Sequence, residues 1–349
     1  MHTDDILFEE MTGKNGNIGL ITLNRPSALN ALNHAMFKAM HEHLSIWQGQ
    51  PSIKAVMIRA VEGRAFCAGG DVKSVYEKRL NKDNNVEDFF KDEYAVNRLI
   101  YHYPKPYIAL LDGITMGGGA GVSLHGSHRI ATERMSFAMP ETTIGFFPDI
   151  GASYFLSRLS HKMGFYLGLS GDRIAYHDVF DLGLVDFIIS SDTQNQLIQC
   201  LIDADLPSKQ AVTTIIKNFT TPVPPSDLLK HKQTIEFCFS HPSMEKILEA
   251  LELSTEWCKQ IANHLKTKSP TSLKVTLQEM MRGEQLDFDA CMDMEYVMMR
   301  HFLTSHDFLE GVRAVLIDKD KNPKWQPDSL SKVTEESVIA YFSNVCFVG

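Results

Sequence analysis

Apolar positions in the N-terminal half of the chain alternate between the spacing of strands and the spacing of helices. Short apolar runs typical of strands cover residues 18–23, 54–60, 107–111 and 129–132. Apolar residues at helical spacing follow Asn33, a candidate helix cap, begin again at Val72, and recur in a stretch that reaches Tyr103. This alternation predicts a mixed α/β fold.

The pattern changes after about residue 191. The segment TTPVPPS, residues 220–226, predicts a linker. Beyond it, apolar residues recur at helical spacing over residues 243–253, 255–266, 272–281, 289–303 and 307–317. The sequence therefore predicts an α/β body over residues 1–220 and a helical region over 221–349. We interpret the charged side chains of these helices as exposed polar faces.

Composition and charge remove several classes of protein. Of the 349 residues, 44% are hydrophobic and 22% are charged, which is typical of globular domains. The 34 basic and 43 acidic residues give a net charge of −9, which argues against a nucleic-acid partner. No apolar run is long enough for a membrane span, so no membrane partner is expected.

The N-terminal segment and the cysteines bear on localisation and metals. The segment MHTDDILFEE is acidic and has no targeting pattern, which predicts a bacterial cytosolic protein or, in a eukaryote, a processed protein of the mitochondrial matrix. The six cysteines, of which Cys346 is the last, form no CxxC motif and no cluster with histidine. We therefore expect a reducing compartment and no metal site.

Two glycine turns follow apolar strands. The first is Ala68-Gly69-Gly70-Asp71, and the second is Gly117-Gly118-Gly119 at the start of a predicted helix. Free backbone amides at such turns can hold an anion or a carbonyl oxygen that is becoming negative. The alternative is that these glycines only allow a positive φ or close packing. The turns alone leave both interpretations open.

Two acids lie eight residues apart in the apolar loop MPETTIGFFPDIGASYF. They are Glu141 and Asp149. A carboxyl group among Met, Ile and Phe is desolvated, which raises its pKa and suits it to acid–base chemistry. The alternative is a pair of helix-capping acids, with Asp149 capping a predicted helix at Ala152. A third acid, Glu93, lies on an otherwise apolar helix and would by itself be interpreted as an exposed residue.

Four segments in this order resemble the crotonase (enoyl-CoA hydratase/isomerase) superfamily. They are LNRPSALNAL (23–32), RAFCAGGD (64–71), KPYIALLDGITMGGGAG (105–121) and FAMPETTIGFFPDIGASYFLSRL (137–159). The resemblance implies a spiral of ββα units with two roughly perpendicular sheets, followed by C-terminal helices. The segments SPTSLK (269–274) and HDFLEGVRAVLIDKDKNPKW (306–325) are similar to the branch that hydrolyses 3-hydroxyisobutyryl-CoA.

The resemblance implies roles for the motif residues. Gly70 and Gly118 would donate two backbone amides to the thioester oxygen, and Glu141 would be the acid–base residue. Asp149 and Glu93 match acids that surround the substrate in the hydrolase branch, and Asp149 would be a catalytic residue that binds the 3-hydroxyl group or assists proton transfer. The residues expected to bind the CoA part are Arg25, Ala28, Ala68, Gly69, Asp71 and, at the nucleotide phosphates, Lys319.

One position departs from the superfamily pattern. Hydratases carry a second glutamate three residues after the oxyanion glycine, and this chain has Gly121 there. This departure argues against addition of water to a double bond by two carboxylates. The C-terminal similarity and Glu93 imply instead hydrolysis of a short β-hydroxyacyl-CoA, namely 3-hydroxyisobutyryl-CoA in valine breakdown. Glu141 would act either as a base toward water or as a nucleophile.

Two other functions stay open at this stage. One is an enoyl-CoA hydratase or an enoyl/dienoyl-CoA isomerase, since dienoyl isomerases share the eight-residue Glu–Asp spacing. The other is an acyl-CoA-binding protein without activity. In each case acyl-CoA is the expected partner, CoA arrives with it rather than as a separate cofactor, and a homo-oligomer is a further expectation.

Overall fold

The computed structural model describes residues 4–83, 85–206 and 208–343. Cys346 lies outside the described residues. The strands are β1 (Ile6–Gly13), β2 (Gly16–Leu23), β3 (Ile53–Ala60), β4 (Ala65–Cys67), β5 (Tyr107–Leu111), β6 (Ile114–Met116), β7 (His128–Thr132), β8 (Ser136–Ala138), β9 (Ile174–Ala175) and β10 (Phe187–Ile189).

The α-helices divide at the predicted linker. The helices before it are α1 (His34–Gly49), α2 (Val72–Leu80), α3 (Val86–Tyr101), α4 (Gly118–Gly121), α5 (Ala152–Phe155), α6 (Met163–Ser170), α7 (Tyr176–Asp181), α8 (Gln194–Asp203) and α9 (Lys209–Lys217). Those after it are α10 (Lys232–Phe239), α11 (Met244–Glu252), α12 (Glu256–Leu265), α13 (Pro270–Gly283), α14 (Phe288–Leu303), α15 (His306–Val312) and α16 (Glu335–Ala340).

The described residues pack into two compact units that each combine several stretches of chain. The first unit contains the residues up to Asp71 together with Asp92–Phe137 and Ile174–Leu229. The second unit contains Val72–Lys91, Ala138–Arg173 and the residues from Lys230 onward. The division at residue 220, which was drawn from the sequence pattern, stays a prediction.

The first unit contains two sheets. The six-stranded sheet has the order β1-β2-β3-β5-β7-β10, and its strands are parallel except for the β1–β2 hairpin. The four-stranded sheet has the order β4-β6-β8-β9. One face of the larger sheet packs on α8 and α9, where Leu20, Met57 and Ile108 meet Leu201 and Ile216 in a buried core. The mixed α/β class with two sheets is confirmed.

Local sequence accounts for most element boundaries in this unit. Asn33 caps α1, because its side chain accepts a hydrogen bond from the amide of Met36 at 3.0 Å. The strand pattern missed β1, an edge strand whose Glu9 and Glu10 interrupt its apolar positions. It also missed β4 and β6, which have three residues each and stand directly before the two glycine turns.

The second unit is mainly helical, and the five helices predicted after the linker are all present. Serine or threonine caps begin most of them, for example Ser243 before α11 and Thr255 before α12. The last predicted helix is divided, since α15 ends at Val312 and the chain continues as a π-helical turn over Arg313–Ile317. The helical C-terminal part is therefore confirmed.

Candidate active site

The two glycine turns meet because the strands that lead into them are neighbours. Strands β4 and β6 pair in parallel, so the turns leave the sheet at the same end. Gly69 and Gly117 have φ values of +115° and +45°, which favour glycine. A methyl group built on Gly118 would lie 3.1 Å from the backbone nitrogen of Gly70. The structure thus brings together the two predicted oxyanion donors, Gly70 and Gly118.

The loop after β2 is tied to the first glycine turn by main-chain bonds. The amide of Ala68 donates to the carbonyl of Leu29 at 3.0 Å, and the amide of Leu32 donates to the carbonyl of Gly69 at 2.8 Å. This joins the first and second superfamily motifs into one surface. Half-buried Ala28 closes the 3₁₀ turn Pro26–Ala28 in the same loop.

Arg25 and Asp71, both predicted to line the CoA path, form an ion pair. Nη1 of Arg25 lies 2.8 Å from Oδ2 of Asp71 and also donates to the carbonyl of Ala31 at 3.1 Å. The side chains are about one fifth to one quarter exposed, so the pair lies at the rim of the loop surface. Arg25 is held in place before any ligand arrives.

Glu93 lies beside the glycine turns rather than on an exposed helix face. Its side chain is 3% exposed, and its Oε1 would be 2.5 Å from a methyl group on Gly118. The interpretation of Glu93 as an exposed residue is therefore wrong. Burial, with a smaller contribution from the charge of Glu93, raises the pKa of the nearby Cys67 thiol to about 12. Cys67 is consequently a neutral packing residue and not a nucleophile.

In the second unit, Glu141 is the first residue of the 3₁₀ turn Glu141–Ile144. Its side chain is 7% exposed, and its Oε2 has no hydrogen-bond partner among the described residues. Burial raises the pKa of this carboxyl well above its ordinary value, and the charge of Asp149 raises it further. Glu141 therefore has the environment expected of an acid–base residue.

The helix after Asp149 is stabilised at its start by a different acid. The amides of Gly151 and Ser153 donate to the carboxylate of Glu295 on α14, at 2.6 Å and 3.0 Å. The amide of Ala152 donates to the main-chain carbonyl of Asp149. These first amides of α5 are satisfied without the Asp149 carboxylate, which is 5% exposed. The capping interpretation of Asp149 and its role at the substrate both stay predictions.

Two buried acids of the second unit were not predicted from the sequence. Glu279 on α13 and Glu295 on α14 are both 0% exposed, so their interpretation as exposed helix residues is wrong. The signal was present for Glu279, because it falls three and four residues after Thr276 and Val275, on the buried stripe of α13. Burial raises the pKa of Glu295 to about 8 despite its three hydrogen bonds from Gly151 and Ser153.

Two lysines of this unit differ in their exposure. Lys268 is buried, and its ammonium group donates to Thr143 Oγ1 in the Glu141 turn at 2.6 Å. Burial lowers the pKa of Lys268 to about 8. Lys319, expected at the nucleotide phosphates, is exposed and has a positive φ. Its role stays a prediction.

Within residues 4–83, 85–206 and 208–343, no group of three or more His, Cys, Asp or Glu side chains is arranged to hold a metal ion. No helix in the same ranges has the length and apolar character needed to cross a bilayer.

The raised pKa of Glu141 gives an expected pH dependence. A carboxyl acts as a base or nucleophile only when ionised, so kcat/KM should rise with pH through a pKa well above that of an ordinary glutamate. Asp149→Asn removes the neighbouring negative charge and should move this rise to lower pH. The measurement is kcat/KM for acyl-CoA against pH for both proteins. If kcat/KM rises at the same pH in both proteins, Glu141 is not the group whose ionisation controls the rise.

The fold and the paired glycine turns define a class of protein. The family model described as enoyl-CoA hydratase/isomerase matches residues 18–342. The chain therefore belongs to the enoyl-CoA hydratase/isomerase family.

Particular relatives within this family are similar over nearly the whole chain. A 3-hydroxyisobutyryl-CoA hydrolase, mitochondrial, of Xenopus tropicalis is 42% identical over 339 residues, covering 95% of this chain and 88% of the relative. The protein of the same name from Homo sapiens is 39% identical, covering 99% and 90%. The crystal structure of a carnitinyl-CoA dehydratase from Mycobacterium thermoresistibile is 35% identical, with a TM-score of 0.91 and coverage of 98% and 97%. The resemblance to the superfamily and to its hydrolase branch is confirmed.

Proposed function

We propose that this protein hydrolyses a short β-hydroxyacyl-CoA thioester, 3-hydroxyisobutyryl-CoA, to 3-hydroxyisobutyrate and CoA. The observation that carries the proposal is identity of 39–42%, over nearly the full length, to enzymes named for that reaction. The resemblance places the reaction in valine breakdown. The paired glycine turns and the buried Glu141 are the groups that such chemistry requires.

The first step is polarisation of the thioester carbonyl. The amides of Gly70 and Gly118 donate to the carbonyl oxygen and stabilise the negative charge that develops when its carbon becomes tetrahedral. One such donor contributes about 3–4 kcal/mol in well-studied enzymes. Fixed backbone amides supply this stabilisation without reorganising during the reaction.

The second step adds oxygen to the carbonyl carbon, and Glu141 has two possible roles. As a base, it takes a proton from water, which attacks the carbonyl directly. As a nucleophile, it attacks the carbonyl itself and forms a mixed anhydride that water then opens. In both routes the C–S bond breaks, the CoA thiolate leaves and takes up a proton, and the acyl group departs as a carboxylate.

Asp149, Glu93 and the loop residues are assigned to the substrate. Asp149 accepts a hydrogen bond from the 3-hydroxyl group, and Glu93 borders the acyl group beside Gly118. Arg25, Ala28, Ala68, Gly69 and Asp71 line the path of CoA, with Lys319 near its phosphates. On this assignment the reaction uses no cofactor other than the CoA of its substrate.

The second candidate is addition or removal of water at a double bond. The similarity to a carnitinyl-CoA dehydratase favours it, as does the family description. Against it stands Gly121, a buried glycine in α4 at the position where hydratases carry their second glutamate. A glycine there cannot transfer a proton and leaves space for a branched acyl group.

Two further properties are proposed from similarity alone. The mitochondrial relatives favour the matrix over the bacterial cytosol, the two locations that the sequence predicts. A homo-oligomer stays a prediction.

The two-substrate test of Asp149 examines both the reaction and the acyl group. Asp149→Asn should reduce kcat/KM for 3-hydroxyisobutyryl-CoA about tenfold to a hundredfold more than for isobutyryl-CoA, because only the first offers a hydroxyl to the carboxylate. Release of free thiol is the measurement. Equal losses would assign Asp149 to proton transfer, and no loss would leave it without a role in the site. No thiol release by the unaltered protein would contradict the proposed function.

A further inference from the structure

Glu279 is a buried acid without a visible reason for its burial. Its side chain is 0% exposed, and neither Oε1 nor Oε2 has a hydrogen-bond partner among the described residues. By contrast, Glu295 on the adjacent helix α14 receives hydrogen bonds from Gly151 and Ser153. A buried polar group left in this state is unfavourable for folding, so its presence calls for another explanation.

The packing of α13 places Glu279 near the acids of the proposed active site. Helix α13 contacts the Glu141–Ile144 turn and α5, the helix that follows Asp149. One turn beyond Glu279, Gly283 packs against the main chain of Ser153 so closely that a methyl group would collide with it. Gly168 lies between Pro148, the residue before Asp149, and Met280, the residue after Glu279. A methyl group built on Gly168 would lie 3.5 Å from Cγ of Pro148 and 3.8 Å from Cε of Met280.

The groups that act on Glu279 are nearly all acidic. Burial raises its pKa well above the ordinary value, and the charges of Glu295, Asp149, Cys291 and Glu141 raise it further. The other elements that pack on α13 add little positive charge that could compensate for these acids. The titratable side chains of α5 and α6 are tyrosines, while α11, α16 and the turn Leu330–Lys332 add exposed charges and the Lys274–Glu245 ion pair.

Carboxyl groups that share a buried region cannot all be ionised, and the least stabilised one keeps its proton. Among the residues that the structure describes, Glu279 has neither solvent nor a donor to stabilise a negative charge, whereas Glu141 is slightly exposed. Resting on the function proposed above, we propose that Glu279 is a positioning residue that holds a proton in the buried carboxyl cluster, so that Glu141 can be the ionised member that acts on the thioester. Ionisation of Glu279 would add a negative charge that opposes the anionic tetrahedral intermediate.

The test uses Glu279→Gln, which fits the same volume and reproduces the neutral form at every pH. Its matched control is Glu284→Gln, an exposed acid that follows α13 and pairs with Lys162. The difference infrared spectrum at neutral pH should show that Glu279→Gln loses the carbonyl band of a protonated carboxylic acid, and Glu284→Gln should lose only carboxylate bands. Absence of a protonated-acid band from the difference between the unaltered protein and Glu279→Gln would overturn the proposal; Glu295, whose pKa is about 8, contributes such a band to both proteins and cancels in the difference.

The catalytic readout is the alkaline side of the pH profile. Activity of the unaltered protein and of Glu284→Gln should decline at alkaline pH as Glu279 ionises, and in Glu279→Gln this decline should disappear or move to higher pH. Glu279→Asp, which keeps an ionisable acid, should restore it and remains informative if the glutamine variant folds poorly. The same alkaline decline in all variants would overturn the positioning role. If the unaltered protein releases no thiol, the proposed function fails, while the infrared result still tests the protonation of Glu279.

Discussion

Glu141→Gln should lower kcat between about 10²-fold and 10⁴-fold, the range over which a positioned acid–base group contributes. Glutamine keeps the size and shape of the side chain but can neither accept a proton from water nor form an anhydride. Binding of acyl-CoA should persist, because the change leaves the Arg25 loop and both glycine turns intact. The measurements are kcat from thiol release and the Kd of a non-hydrolysable acyl-CoA analogue.

The same variant should not lose stability. The folded-state pKa of Glu141 lies above its ordinary, unfolded value. The folded protein therefore binds more protons than the unfolded chain between these two pKa values, and its stability falls as pH rises through that window. Glutamine has no such titration, so the Tm of Glu141→Gln at neutral pH should equal or exceed that of the unaltered protein. Near-normal kcat would remove Glu141 from the mechanism, and a lower Tm would point to a structural role.

Gly118→Ala should lower kcat/KM by about 10²-fold to 10³-fold, as much as the loss of one oxyanion donor, because its methyl group blocks the oxygen site although the amide itself is kept. The added methyl group would lie 3.1 Å from the nitrogen of Gly70, where an oxygen bound to that amide would sit, and 2.5 Å from Oε1 of Glu93. The backbone of Gly118 does not have a positive φ, so alanine is compatible with the local conformation. The variant should therefore fold and lose activity.

Gly49→Ala is the matched control for that change. Gly49 is the last residue of α1, and a methyl group there would meet nothing within 4 Å. Its kcat/KM should match that of the unaltered protein, and its Tm should match or slightly exceed it, because alanine favours the helix. If Gly118→Ala lowers Tm but leaves the kcat/KM of the folded fraction unchanged, the glycine turns serve packing alone.

Sequence pattern was sufficient where structure depends on near neighbours along the chain. The cap at Asn33, the two glycine turns and the Glu141–Asp149 loop were all visible as short motifs. The pairing of β4 with β6 was not visible, since each strand has three residues and their meaning depends on the parallel alignment that brings Gly70 and Gly118 together.

The buried acids of the C-terminal helices were not predicted from the sequence. Glu295 satisfies the amides of Gly151 and Ser153, which lie more than 140 residues earlier in the sequence, at separations of 144 and 142. No local pattern marks such a partnership. Glu279 is different, because its spacing from Val275 and Thr276 placed it on the buried stripe of α13, and only the presence of a charge argued against burial. An acid on a helix is usually exposed, so that general expectation failed at both positions.

One measurement tests thioester hydrolysis most directly: a reaction with 3-hydroxyisobutyryl-CoA in water that carries a heavy oxygen isotope. Hydrolysis places the label in the carboxylate of 3-hydroxyisobutyrate and releases an equal amount of free CoA thiol. After several turnovers this holds whether Glu141 acts as a base or as a nucleophile. The rival hydratase chemistry removes the 3-hydroxyl group and adds it back, which places the label in the hydroxyl group and releases no thiol. We expect label in the carboxylate together with free thiol. Label confined to the hydroxyl group, with the thioester intact, would contradict the proposed function.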